Sequence, residues 1–96
     1  MKTAFPATMP GAARRAGAAL LPRYRVLLHN DDRNTMDHVV RSLMRVFGFP
    51  KDICERIMLE AHEKGVALCA VEPLEQAELH REQLISFSLV ATIEPE

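Results

Sequence analysis

The aliphatic run Val26-Leu27-Leu28 stops abruptly in His29-Asn30-Asp31-Asp32-Arg33-Asn34-Thr35, and no other stretch restricts the fold as much. Aliphatic residues favour a strand, whereas Asn, Asp and Thr side chains bond to their own backbone and favour turns and helix N-caps. A strand over residues 24–29 must therefore give way at once to a turn and then to a helix. The same short side chains gather several oxygen acceptors in one place, an arrangement suited to a cationic group.

From Thr35 the apolar residues Met36, Val39, Val40, Leu43, Met44 and Phe47 recur at three and four. This spacing predicts a first helix with Asn34 or Thr35 as N-cap and Gly48 as its stop. Pro50 opens a second helical pattern, in which Ile53, Ile57 and Ala61 form one stripe and Cys54, Met58 and His62 the neighbouring one, ending at Gly65. Residues 66–71 are short and aliphatic between Gly65 and Pro73, the pattern of a central or two-sided strand. Residues 74 to about 85 read as a half-exposed third helix, and residues 87–93 alternate as a last strand. The order β-α-α-β-α-β predicts an α+β domain, a small three-stranded antiparallel sheet with three helices packed on one face.

Ninety-six residues, 48% of them hydrophobic, allow one small core. Residues 1–22 are rich in Ala, Pro and Gly and hold too little apolar bulk to offset ordering entropy, so a disordered extension is expected before a domain over residues 23–96. Charge is unevenly spread. Residues 1–25 carry five basic groups and no acid, which leaves seven basic against thirteen acidic groups in the rest, a net of −6. So acidic a body argues against nucleic acid as the main ligand. No window of ~18 apolar residues could cross a membrane. Cys54 and Cys69 lack any CxxC or His-paired spacing and read as reduced core thiols. A cytoplasmic location is expected, or a plastid stroma if the acid-free start is a targeting segment.

Asn30, Asp31, Asp32 and Asn34 supply acceptors, and Met58, Ala61 and His62 on the second helix supply an apolar wall with one more nitrogen acceptor. Together they form a candidate pocket for a primary amine next to an apolar side chain. Desolvating an ammonium costs several kcal/mol, so such a site must offer lone pairs in number. A metal reading would recruit Asp31, Asp32 and some of His29, His38, His62 and His80, but no compact ligand spacing is present and no cofactor is expected. No nucleophile, base and orienting group can be grouped, so no enzyme is expected.

With that element order and these residues, the chain resembles the ClpS family, adaptors that deliver proteins with destabilising N-terminal residues to the Clp protease. The resemblance rests on Tyr24-Arg25-Val26-Leu27-Leu28 leading into Asn30-Asp31-Asp32, then Met36 and Val39, then Ile57-Met58-Leu59-Glu60-Ala61-His62 with Gly65 and Cys69. It implies that Asn30, Asp31, Asp32 and His62 receive the α-amino group and first peptide bond of a substrate. Met36, Val39, Met58, Ala61 and Leu89 would line the cavity for a first side chain of the Leu, Phe, Tyr or Trp class. It also implies a monomeric adaptor docking on the N-terminal domain of a Clp AAA+ ATPase through Glu75, Glu78 and His80 on the third helix. The chain departs from the family pattern in Asn34-Thr35 for Thr-Pro, in the small Ala61, in Phe87-Ser88-Leu89 for His-Pro-Leu after a shorter connection, and in Leu79-His80 for Thr-Lys. A KH-type RNA-binding module also begins β-α-α-β. It needs a GxxG loop where this chain has Gly48-Phe49-Pro50-Lys51, and basic flanks that this body lacks.

Overall fold

A computed structural model describes residues 21–96, so the expected N-terminal extension lies, up to residue 20, outside the described residues. The elements are β1 (Arg23–His29), α1 (Met36–Phe47), α2 (Lys51–Lys64), β2 (Val66–Pro73), α3 (Leu74–Ser86) and β3 (Val90–Pro95), in the expected β-α-α-β-α-β order. Both strand pairings are antiparallel and the sheet order is β2-β1-β3. One face of the sheet presents Val26, Leu28, Ala67, Cys69 and Ala91 to the core. The helices answer with Val40 and Leu43, with Cys54, Ile57 and Ala61, and with Ala77 and Leu84.

Two expectations are corrected. β2 is an edge strand, not a central one: it pairs with β1 alone, burying Ala67 and Cys69 while Val66 and Leu68 stand 38% and 46% exposed. Its outward residues are as aliphatic as its inward ones, which erases the alternation that marks a one-sided strand. The β1–β2 register also shifts between Val26 and Leu27: Val26 pairs with Ala70 and Leu27 with Leu68. Cys69 is thus an extra residue with no partner in the ladder, and it keeps the inward side that alternation from Ala67 gives it.

The second correction is the start of the last strand, at Val90 and not Phe87. Residues 87–89 close the end of α3. Ser88 N–H donates to Ile85 O at 2.8 Å and Leu89 N–H to Leu84 O at 3.1 Å, the paired bonds of a Schellman turn. Leu84 and Leu89, both buried, make its accompanying apolar contact. The residue that must take the left-handed conformation is Ser88, at φ +70°. Glycine usually fills that place, so the sequence carried no stop signal there.

The remaining helix ends follow their residues. Thr35 Oγ1 accepts the His38 N–H at 3.1 Å to open α1, and Gly48, at φ +72°, closes it by donating to Met44 O at 2.9 Å. Between α1 and α2 the rings of Phe47 and Phe49 stack at 5.0 Å, so the loop that a KH module would give to RNA is tied into packing.

Candidate functional site

The site starts where β1 ends. Asn30 N–H donates to Gly65 O at 3.0 Å, one residue beyond the last rung of the β1–β2 ladder. Gly65 is also the left-handed cap of α2, at φ +89°, with its N–H on Ala61 O at 2.8 Å. One backbone bond thereby brings the exit of β1 against the last turn of α2, and with it Asn30 beside His62.

The two aspartates then part ways. Asp31 Oδ1 accepts from Arg33 N–H at 2.9 Å, from Asn34 N–H at 3.0 Å and from Asn34 Nδ2 at 3.1 Å, and Oδ2 takes a further 3.1 Å contact from the same amide. This carboxylate is spent on holding its own turn. Burial pushes its pKa up, but bonds from the Asn34 side chain and from the Arg33 and Asn34 backbones, with the Arg33 charge, outweigh burial and hold it below the ordinary carboxylate value. Asp32 is exposed and accepts no hydrogen bond from another side chain or backbone group among the described residues. It does not line the hollow described next, but its charge stands free beside it in sequence.

Between the 30–34 turn, α1, α2 and the turn before β3 lies a hollow open to solvent. Its polar rim is Asn30, Asp31, Asn34 and His62, and its apolar wall is Met36, Val39, Met58, Ala61 and Leu89. Nine of the ten residues expected at the ligand thus share one cavity, Asp32 being the exception. Leu28 and His29 line it as well; Leu28 reads as a core residue of the strand, and His29 draws only the metal reading. Met36 stands at the mouth, 49% exposed, while Ala61 is buried in the wall. The cavity volume is about 40 Å³. An apolar cavity that takes a benzene ring measures roughly 150 Å³, so this one must widen to admit an aromatic side chain.

The Leu89 wall is tethered from the α1 side. Asn34 Nδ2 donates to Ser88 O at 2.9 Å, and His38 Nε2 donates to Phe87 O at 2.8 Å. A carbonyl can only accept, so Nε2 carries the ring proton. Sequence reasoning missed His38, because nothing in its spacing links it to a turn 49 residues on.

Of the residues expected to face a partner, Glu75 and Glu78 are exposed on α3. His80 is turned inward. Its Nδ1 lies 2.8–2.9 Å from the Glu72 carboxylate, its side chain is 14% exposed, and its ring packs 4.7 Å from that of Phe47. No three His, Cys, Asp or Glu side chains converge as a metal ligand set among the described residues, and both cysteines are free and buried. Among those residues, no helix is long and apolar enough to cross a membrane.

Comparison with known proteins agrees with this geometry. The family model described as ATP-dependent Clp protease adaptor protein ClpS matches residues 20–92. The ClpS adapter of Synechococcus elongatus is 46% identical over 78 residues, covering 80% of this chain and 82% of that protein. The chloroplastic adapter CLPS1 of Arabidopsis thaliana is 40% identical over 83 residues, covering 85% of this chain and 52% of its own. Among solved structures, Agrobacterium tumefaciens ClpS2 bound to L-phenylalaninamide superposes with a TM-score of 0.72 at 33% identity, covering 78% of this chain and 98% of that one. The chain belongs to the ClpS family of ATP-dependent Clp protease adaptors.

Proposed function

We propose that this protein binds other proteins by a large apolar first residue and its free α-amino group, and hands them to a Clp AAA+ ATPase for degradation. The observation that carries this reading is the hollow itself, with lone pairs around its rim and hydrocarbon on its wall. The relative solved with L-phenylalaninamide, a free amine beside a benzyl group, supports the same ligand chemistry. No bond is broken in such a step.

The division of labour follows from which acceptors are free. Asn30 offers an amide oxygen and His62 a ring nitrogen, and Asp32 adds a carboxylate from the turn. Asp31 already accepts three N–H donors, so it shapes the turn and leaves direct contact to its neighbours. Charge-assisted bonds to the ammonium contribute on the order of 1.5–3 kcal/mol each, and burying a Leu or Phe side chain about 1.5–3 more. Neither half alone outweighs the entropy of association, so recognition needs both. Delivery uses the exposed Glu75 and Glu78 face of α3 against the N-terminal domain of the ATPase, with the adaptor acting as a monomer.

A Phe-starting peptide and its N-acetylated twin, compared by fluorescence anisotropy, test the reading. Binding of the free amine alone is expected, and equal affinities would refute it.

A further inference from the structure

The hollow is too small for the ligands that it is proposed to take, so some part of its wall must yield, and the structure indicates which part is restrained. Met36 and Met58 are unbranched thioethers that repack readily. Val39 and Ala61 sit within α1 and α2. Leu89 stands on a short turn, and that turn is held on both sides: by the Schellman bonds to Leu84 and Ile85, and by Asn34 Nδ2 on Ser88 O and His38 Nε2 on Phe87 O. Asp31 fixes the amide of Asn34, while Ser42 Oγ donates to His38 O at 2.8 Å one turn along α1. The Arg45 guanidinium lies 6.0 Å from the centre of the Phe87 ring and adds a weaker tether to the same turn.

We propose that Asn34 and His38 form a latch that fixes the Leu89 wall and so sets the size of first residue that the adaptor accepts. Both are positioning residues: they act through the backbone carbonyls of Phe87 and Ser88. With the latch closed the wall resists displacement, and the narrow cavity favours Leu over the broad indole of Trp. Opening the latch lets the 87–89 turn move outward, which gains Trp more than it gains Leu. The inference rests on the adaptor reading and adds to it a residue outside the pocket, His38, that grades substrates.

The test compares dissociation constants of Leu-, Phe- and Trp-starting peptides, measured by fluorescence anisotropy on the full chain. The variants are Asn34→Ala, His38→Leu and His38→Gln, with Val46→Ala as a core change remote from the hollow. The Trp-to-Leu ratio of dissociation constants should fall on the order of fivefold in Asn34→Ala and in His38→Leu, the equivalent of one hydrogen bond lost. His38→Gln keeps an amide N–H within reach of Phe87 O and should keep the wild-type ratio, and Val46→Ala should keep it while lowering the melting temperature. An unchanged ratio in His38→Leu, or an equal change in Val46→Ala, overturns the latch and leaves the adaptor intact. If Asn34→Ala fails to fold, the His38 pair decides alone. Failure of the wild type to bind any of the three peptides overturns the adaptor reading, and the latch with it.

Discussion

Asp31 and Asp32 are neighbours with the same side chain, and the structure assigns them opposite consequences when they are replaced. Asp31→Ala removes the acceptor of three N–H groups, one of which, the Arg33 N–H, is exposed and returns to water cheaply. Bonds to a charged acceptor are worth up to about 3 kcal/mol, but this turn is half open to solvent, so a total near 2 kcal/mol is expected. For a domain of this size that lowers the melting temperature by roughly 8–16 °C, readable by far-ultraviolet circular dichroism. Asp32→Asn breaks no bond among the described residues, and its stability should stay within about 0.5 kcal/mol of wild type. If, as proposed, Asp32 supplies charge to the substrate ammonium from beside the hollow, affinity for a Phe-starting peptide should drop roughly ten- to a hundredfold. The acid limb adds a check. A carboxyl whose pKa is lowered by folding stabilises above its unfolded value of ~3.9, and that contribution is lost as pH falls through the folded value. Stability of the wild type and Asp31→Ala should therefore converge toward low pH. The reasoning fails if Asp32→Asn binds like wild type, or if Asp31→Ala melts like it.

Further outcomes follow from other residues. Met36→Ala opens the exposed mouth of the hollow and should admit peptides beginning with Val or Ile, which wild type should reject; a peptide array varying only the first residue reads this. Ser88→Gly relieves a left-handed serine whose side chain is exposed, a strain of about 1–2 kcal/mol partly offset by glycine's looser unfolded chain, so urea unfolding should show a gain near 0.5–1 kcal/mol. Cys69 is pushed up to about 12 by burial, with smaller contributions from Cys54 and Glu72, and burial also raises Cys54. Neither thiol should react with a maleimide at pH 8 in the native protein, and both should in denaturant. Deleting residues 2–20 should leave peptide affinity unchanged, since among the described residues every group at the hollow lies between Leu28 and Leu89.

The element order and the composition of the hollow were legible because they depend on local rules. Turn-forming side chains stop β1, apolar periodicity writes α1 and α2, and Gly48 and Gly65 mark their ends. What stayed hidden depends on partners remote in sequence. The edge position of β2 is a property of the sheet, and Val66 and Leu68 look like core residues in any local window. The true start of β3 was masked because Ser88 performs a turn that glycine normally announces. His38 and His80 were opaque for the same reason: one reaches a carbonyl 49 residues away, and the other finds Glu72 across the β2–α3 corner. Asp31 and Asp32 could be told apart only once the direction of each carboxylate was known.

The placing of β1 between two antiparallel neighbours has a mechanical side. The chain enters the domain at Arg23, so tension applied upstream of that residue runs along β1 and shears both ladders together, where an edge strand would peel away one rung at a time. Asn30 is the first residue past the far end of that strand, bonded onward to Gly65. A tug on the amino-terminal end therefore loads both ladders of β1 before strain reaches the 30–34 turn.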